Sequence, residues 1–484
     1  MAARPDRVLS RRSDDPAAPS AAVNAPEPPR VLRFFPTGPA PLPIVALRWG
    51  LALFALWSLN FTLLASGIPT GSPLTFPISI YEGPALHLAG LLYALPFALA
   101  VVLALRLEPR LGAASLWGIA LALLALGNLL QGDPDSAFLK PFYATYLGRA
   151  VQYFHDVRGI SDPIDWLRRF NEGQTTLTLH SRTHPPFAVL LHWAVLRASG
   201  QNLAALAAAF MLIVSATPLV LWRALRDAGT DARTAGLVGL LLAVTPAFNI
   251  YGAASLDAVI LALASLYLWG LVRASTRGIE PGAVLLMCVG LTAVNLLTFG
   301  GLFLVAVGVA FGVVEFAARR RTDLLVAQGV AIAVCAMALF AALAPFGYDH
   351  VRAFLTASRL ENGSAQFLQR PLAYAMTRLE DIAEIVLFLG LVTAAVLSGP
   401  RREGGLRLGG ADPLDRLSLV AAATLLLVFV TGAYRTGETA RACLFIVPFL
   451  LLPLRRCAPE RLRPLVIAAA VQTAVMQLTG GFFW

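Results

Sequence analysis

Charge is what this sequence has least of. Asp, Glu, Lys and Arg make up only 14% of its 484 residues, against roughly 25% in a soluble globular protein. So few charges cannot cover the water-facing shell of a chain this long, which excludes a row of soluble domains. Disorder over most of the length is excluded too, since disordered chains are charge-rich and poor in apolar residues. Lysine is nearly missing: every basic residue except Lys140 is arginine. Cysteine is scarce, and Cys288, Cys335, Cys443 and Cys457 lie apart in apolar stretches with no CxxC pair. Neither a disulfide scaffold nor a zinc framework is implied. The chain also lacks a P-loop, a GxSxG elbow and a dinucleotide fingerprint, so none of the enzyme classes those motifs mark is indicated.

Apolar residues fill the gap. They account for 57% of the chain, and mean hydropathy is +0.70. About thirteen windows are long and apolar enough, or nearly so, to cross a bilayer as a helix of about 20 residues. They are 44–66, 85–106, 113–130, 203–225, 234–250, 255–273, 282–299, 301–318, 324–346, 381–398, 416–433, 441–454 and 464–480. The weakest of these, 441–454, is short and opens on Arg441. Arginine placement orients the spans, because basic residues favour the cytoplasmic side. With the N-terminus inside, the clusters at 223–233, 319–321, 401–416 and 455–463 all fall inside, while the short outer loop 67–84 carries no basic residue. Topology therefore accounts for the net charge of +10, and nucleic acid is not indicated.

An odd number of spans places the C-terminus outside. The arginine-for-lysine usage fits GC-rich bacterial coding, so the expected location is a bacterial cytoplasmic (inner) membrane. Residues 1–43, rich in Pro, Ala and Arg, read as a disordered cytoplasmic tail without a cleavable signal. Residues 44–480 read as the membrane domain and 481–484 as an outer C-terminus. The apolar stretch after His184 is short for a span, and counting it as one would move the 223–233 arginines outside. It reads instead as a juxtamembrane or re-entrant helix started by Pro185 and Pro186.

Two outer loops are long, 131–202 and 347–380, and loops of that length are usually functional or disordered. The first is not disordered in composition. Tyr143, Tyr153, Phe154, Trp166, Phe170 and Trp193 interleave with Asp133, Asp135, Asp156, Asp162, Asp165 and Glu172, and four of the six histidines lie there. Aromatics at this density suit short helices at the headgroup level. Other ionisable groups gather at the outer ends of spans: Asp257 near the start of 255–273, and Arg435, Glu438 and Arg441 before 441–454. Mid-span regions read as nearly charge-free. His180 and His184 have the i,i+4 spacing of a helical zinc pair, but the Pro pair and the missing HExxH glutamate argue against a metalloprotease, and no metal is assigned. Plainer readings stand beside these: Asp156 as a solvated loop acid, Asp257 as a favourable charge at a helix start, the histidines as loop packing, and Glu438–Arg441 as a local pair.

Three stretches, THPPFAVLLHWAVLRASGQNLAALAAAFMLIVSATPLVLWRALRD (183–227), TPAFNIYGAASLDAVILALASLYLW (245–269) and ETARACLFIVPFLLLPL (438–454), together resemble the GT-C superfamily of membrane glycosyltransferases. The nearest branch is the protein O-mannosyltransferase, aminoarabinose transferase and Rgt-like group (glycosyltransferase family 39-like). The resemblance covers about half the chain, by motif and order. It implies an all-α GT-C-like bundle with a large first outer loop of short juxtamembrane helices. It further implies transfer of a sugar from a polyprenyl-phosphate donor to a glycan, lipid or protein acceptor at the outer face. The family's acidic catalytic residue, upstream of His184-Pro185-Pro186, maps best to Asp156 in YFHDV, with Asp135 and Asp162 as rivals. Tyr153, His180, Arg182, His184, Asp257, Arg435, Glu438 and Arg441 are the expected substrate contacts. The sequence assigns no cofactor beyond the lipid-linked sugar donor and leaves open whether a divalent metal assists. The chain departs from the pattern in lacking an Asp-Glu pair, in carrying Phe187 where Leu or Gly is frequent, and in placing two extra spans before the loop-bearing helix. The chemistry is coherent apart from any family: a carboxylate can take an acceptor proton, and guanidinium forks bind phosphate. A polytopic transporter or lipid flippase for envelope precursors is the alternative.

Overall fold

The computed structural model of the chain describes residues 41–68, 75–78, 85–108, 111–146, 148–362, 370–397, 412–432 and 439–482. These residues are helical almost throughout, as an apolar chain in lipid requires, because a helix satisfies its own backbone polar groups. Eight helical stretches among them are long and apolar enough to cross a membrane: Leu42–Ala65, Leu88–Leu107, Leu203–Asp227, Leu256–Arg277, Phe299–Arg319, Asp323–Phe346, Pro413–Val430 and Pro459–Thr479. Shorter apolar helices occupy Ala113–Leu129, Pro186–Ala198, Ala232–Val244 and Pro281–Leu297. The protein is thus an all-α polytopic membrane protein. Peripheral helices keep their apolar side chains outward: Leu47, Leu51, Phe54 and Trp57 of the first are all exposed, a surface suited to lipid. Leu256–Arg277, by contrast, is largely buried and forms the bundle's centre.

Proline and capping residues set the ends. Asp231, Asn202, Asp412 and Ser255 each accept a backbone N–H from the first turn of the helix they precede, filling donors a helix start leaves open. Internal breaks are filled by side chains. The helix Ala232–Val244 stops before Pro246, and the freed carbonyls of Val244 and Ala243 accept from Thr473 Oγ1 (2.7 Å) and Asn249 Nδ2 (3.4 Å). Asn128 Nδ2 in turn donates to Asn249 O (2.7 Å), and Gln477 bridges Asn128 and Asn249. This amide cluster works only because residue 127 is glycine: a Cβ there would sit 2.0 Å from Asn249 Oδ1.

Window 381–398 begins too late. The helix is Pro371–Leu389, followed past Gly390 (φ 62°) by Leu391–Leu397. It carries Arg378, Glu380, Asp381 and Glu384, all buried, so charge is not confined to span ends as the sequence suggested. Window 441–454 is no single helix. It is a chain of short pieces, Thr439–Ala442, Leu444–Ile446, Val447–Leu451 and Leu452–Arg456, with nearly every side chain from Cys443 to Leu454 buried in protein.

Ion pairs tie the arginine-rich turns together at one end of the bundle. Buried Glu108 takes both Arg233 and Arg463. Asp227 takes Arg277 (2.9 Å) and Arg273 (3.6 Å), and Arg321 donates to the carbonyls of Ser275 and Ala274. Arg416 meets Glu315 at 2.5 Å, while Asp412 and Asp415 hold Arg455 and Arg456.

The first long loop folds as short helices: Asp135–Leu139, Lys140–Tyr143, Tyr153–Val157, Pro163–Gly173, Leu179–Thr183 and Pro186–Ala198, with one small antiparallel hairpin pairing Thr145 with Ala150. Long-range bonds fix it. Trp193 Nε1 donates to Ile160 O (3.2 Å), and Asn171 exchanges two 2.8 Å bonds with the backbone of Asp349. Gln174 Nε2 donates to Ala353 O at 2.9 Å. The second long loop, through its helix His350–Asn362, therefore backs the first.

Candidate functional site

A cleft opens where four sequence-distant segments meet: 141–154, 180–192, 254–257 and Arg441. Two of the contributors come from helix starts. Asp257 lies in the first turn of Leu256–Arg277, whose cap Ser255 accepts from the Asp257 N–H (3.1 Å). Arg441 lies on the four-residue helix Thr439–Ala442, and its Nε stands 3.3 Å from Asp257 Oδ2, with only 12% and 19% of the two side chains exposed. A pair this shielded from water is screened far less than a surface pair.

The opposite wall is aromatic. Tyr153 stacks on His192 (centroids 4.9 Å apart), meets His184 edge-on (5.5 Å) and tilts over His180 (5.8 Å). His184 Nδ1 donates to His180 O at 3.0 Å, which leaves Nε2 as the acceptor of the neutral ring. Burial holds His180 well below its ordinary value of 6.5, and the Arg441 and His184 charges push it further down. Burial also lowers His184, against the pull of nearby Asp257. Burial thus keeps the His180 and His184 imidazoles uncharged at neutral pH, beside the Arg441–Asp257 pair. Its interior is narrow: about 20 Å³ is open to water, room for a single water molecule.

Tyr153, His180, Asp257 and Arg441 line this cleft and His184 adjoins it. Asp156 does not line it. Its Oδ2 accepts from Thr178 Oγ1 (2.5 Å) and Thr178 N (3.2 Å), tying helix Tyr153–Val157 to the start of Leu179–Thr183. Arg182 is half-buried on that second helix, its carbonyl accepting from Gln174 and its Nε without a hydrogen-bond partner among the described residues. Asp162 is a helix cap, accepting from Ile164 N (2.8 Å) and Asp165 N (3.3 Å). Asp135 is exposed and accepts from Tyr143 OH at 2.5 Å, which pushes the Tyr143 hydroxyl up to about 12. Arg435 and Glu438 lie outside the described residues.

A second polar cluster escaped the sequence reading. On helix Pro371–Leu389, Arg378 faces Asp381 at 3.2 Å. Thr439 Oγ1 donates to Asp381 (2.5 Å) and Thr439 N to Glu384 (3.2 Å). The short helix Thr439–Ala442 therefore touches acids on both sides, Asp381 and Glu384 through its first residue and Asp257 through Arg441. Spacing of 380, 381 and 384 puts these acids on neighbouring faces of one helix, a signal visible only once residues 371–380 are read as helix rather than loop. Among the described residues, no group of three or more His, Cys, Asp or Glu side chains is arranged to hold a metal ion. Comparison with protein-family models, curated proteins and solved structures gives no match.

Proposed function

We propose that the chain is an integral-membrane glycosyltransferase of the bacterial cytoplasmic membrane, a GT-C-like bundle of about thirteen membrane-crossing segments. It would move a sugar from a polyprenyl-phosphate carrier to a glycan, lipid or protein acceptor at the outer face. The observation that carries this reading is the convergence of four distant segments on one cleft with a braced guanidinium and a carboxylate, away from the arginine-rich end of the bundle. In this reading Arg441 takes the carrier phosphate, and the isoprenoid tail runs along apolar helix surfaces. The acceptor oxygen bonds to the anomeric carbon as the bond from that carbon to the phosphate oxygen breaks. The acceptor proton passes to a carboxylate, Asp156 by the motif, and the electron pair leaves on the polyprenyl phosphate, which Arg441 holds before and during reaction. The test is a transfer assay in proteoliposomes with a panel of radiolabelled polyprenyl-phosphate sugars. Label passing to an acceptor or to water supports the reading; folded protein that turns over no donor overturns it.

A transporter or lipid flippase is the second reading, favoured by the buried Arg378, Glu380, Asp381 and Glu384. Ionisable groups inside a membrane are expensive and mark ion or substrate pathways. Substrate flux driven by a proton gradient, lost in Glu384→Gln, would support it over transfer.

A further inference from the structure

The first outer loop holds another, roomier cleft. It lies along helix Pro163–Gly173, with about 210 Å³ open to water, space for a ring rather than a single water molecule. Its floor is aromatic: half-buried Trp166 meets Phe170 edge-on at 5.4 Å, and Phe170 is itself braced by Tyr348 from the second loop (5.9 Å). Its rim is polar, carrying Asp162, Asp165 and Arg169, the last two ion-paired. The two clefts are lined from the same two chain segments. Phe154 lines the narrow one and Gly159 the roomy one, on either side of Asp156; His180 and Leu177 line them likewise, on either side of Thr178. The Asp156–Thr178 hydrogen bond ties those two segments together.

We propose that this second cleft binds a neutral saccharide ring, stacked on Trp166 and hydrogen-bonded through its hydroxyls at the rim. The apolar face of a pyranose presents C–H bonds whose partial positive charge suits the negative face of an aromatic ring. Carboxylates accept from hydroxyls on its edge. Two carboxylates against one guanidinium leave the rim net negative, which disfavours phosphorylated or uronic sugars. Held in a cleft lined from the same two segments as that of the braced arginine, the ring is the acceptor, with Asp156 on one of those shared segments. The acceptor role rests on the glycosyltransferase reading; saccharide binding does not.

The full chain in lipid nanodiscs, without donor, is titrated by saturation-transfer NMR with maltotriose, β-mannotriose and triacetylchitotriose as neutral probes. Trigalacturonate and glucose 6-phosphate are the anionic ones. At least one neutral probe should bind, with anionic probes at least about tenfold weaker. Trp166→Ala should weaken binding at least about fivefold, and Trp166→Phe, which keeps a ring face, by less. Should Trp166→Ala fail to fold by gel filtration, Asp165→Leu at the partly exposed rim should weaken binding several-fold. Folded wild-type protein that binds no neutral probe, binds anionic probes as well, or binds equally after loss of the ring overturns the inference. Donor turnover without saccharide binding sinks this inference alone. Saccharide binding without any donor turnover sinks only the transferase reading.

Discussion

Arg441 reaches Asp257 across 3.3 Å, joining a four-residue helix to the first turn of the most buried long helix. The carboxylate limits where the guanidinium points, so each residue is of use through the other. A charge-assisted hydrogen bond from the Arg441 guanidinium to the carrier phosphate would contribute about 1.5–3 kcal/mol, which sets the scale of the first prediction. Arg441→Ala should weaken donor binding roughly tenfold to hundredfold, chiefly in KM, because the contact exists before and during reaction. Asp257→Asn should have a smaller effect in the same direction, and the double variant should fall short of the product of the two. Multiplicative losses would mean the pair is not a unit.

Asp156 separates two roles. As the base, Asp156→Asn should lower turnover by roughly 10²–10⁴ while donor binding persists. Thr178→Val removes the hydroxyl that the carboxylate accepts from and leaves the acid in place. Single-turnover kinetics on both variants decides between them: equal losses would reduce Asp156 to a brace for the loop, and loss moved to Asp135→Asn or Asp162→Asn would relocate the base.

Acid should weaken the outer loop selectively. His180 and His184 are held below 6.5 in the folded protein, mainly by burial, and burial lowers His350 to about 4. Below about 6.5 the unfolded chain binds more protons at these rings than the folded one, so stability falls as pH drops from there toward the depressed folded values. Above about pH 7 these groups add no pH dependence. Thermal unfolding between pH 5.5 and 7.5 measures the slope, which His180→Gln and His350→Gln should each flatten. An unchanged slope in both would mean the rings are not its source.

The buried Arg416–Glu315 pair, 1% and 0% exposed, locks two helices at the arginine-rich end. Glu315→Ala should destabilise by about 3–5 kcal/mol, since it strands a buried charge. Adding Arg416→Leu should recover much of that loss. Unfolding in detergent measures both, and no recovery would mean that packing, and not charge, sets the penalty.

Orientation is checked with reporter fusions. Fusions after Gly200, Arg321 and Trp484 should read outside, inside and outside, as the arginine distribution requires. An inside signal at Trp484 would point to a miscount at 441–454.

Features legible in the chain arise from physics that acts locally. Long apolar runs identify Leu42–Ala65 or Pro459–Thr479 without reference to any neighbour, and arginine clusters mark turns that the ion pairs then gather at one end. The cleft was half visible: Asp257 and Arg441 stood out as ionisable groups at span ends, and Tyr153 and His180 as residues of the long aromatic loop. Missing were features that exist only through distant partners. The start of Pro371–Leu389 was lost because Arg378 and Glu380 look like solvated loop charges, and Asp381 and Glu384 like the charged end of a span, until Thr439, some 55 to 60 residues on, is seen to bond the latter two. Asp156 carries no local sign of its tie to Thr178, nor Asn171 of its bonds to Asp349.

The broken segment 439–456 has a consequence for biogenesis. Its tightened 3₁₀ turns rise about 2.0 Å per residue against 1.5 Å for an α-helix, so fewer residues cover a given depth, but their hydrogen bonding is poorer and tolerates no contact with lipid. Helices that pack around it, among them Ala232–Val244, Pro246–Tyr251, Leu256–Arg277, Pro371–Leu389, Leu391–Leu397 and Pro413–Val430, come earlier in the chain. A nascent chain therefore holds these helices before this segment emerges, and order of synthesis does what apolarity alone would not. Deleting Pro413–Val430 should leave 439–456 open to protease at the membrane surface, whereas deleting the peripheral Leu42–Ala65 should not.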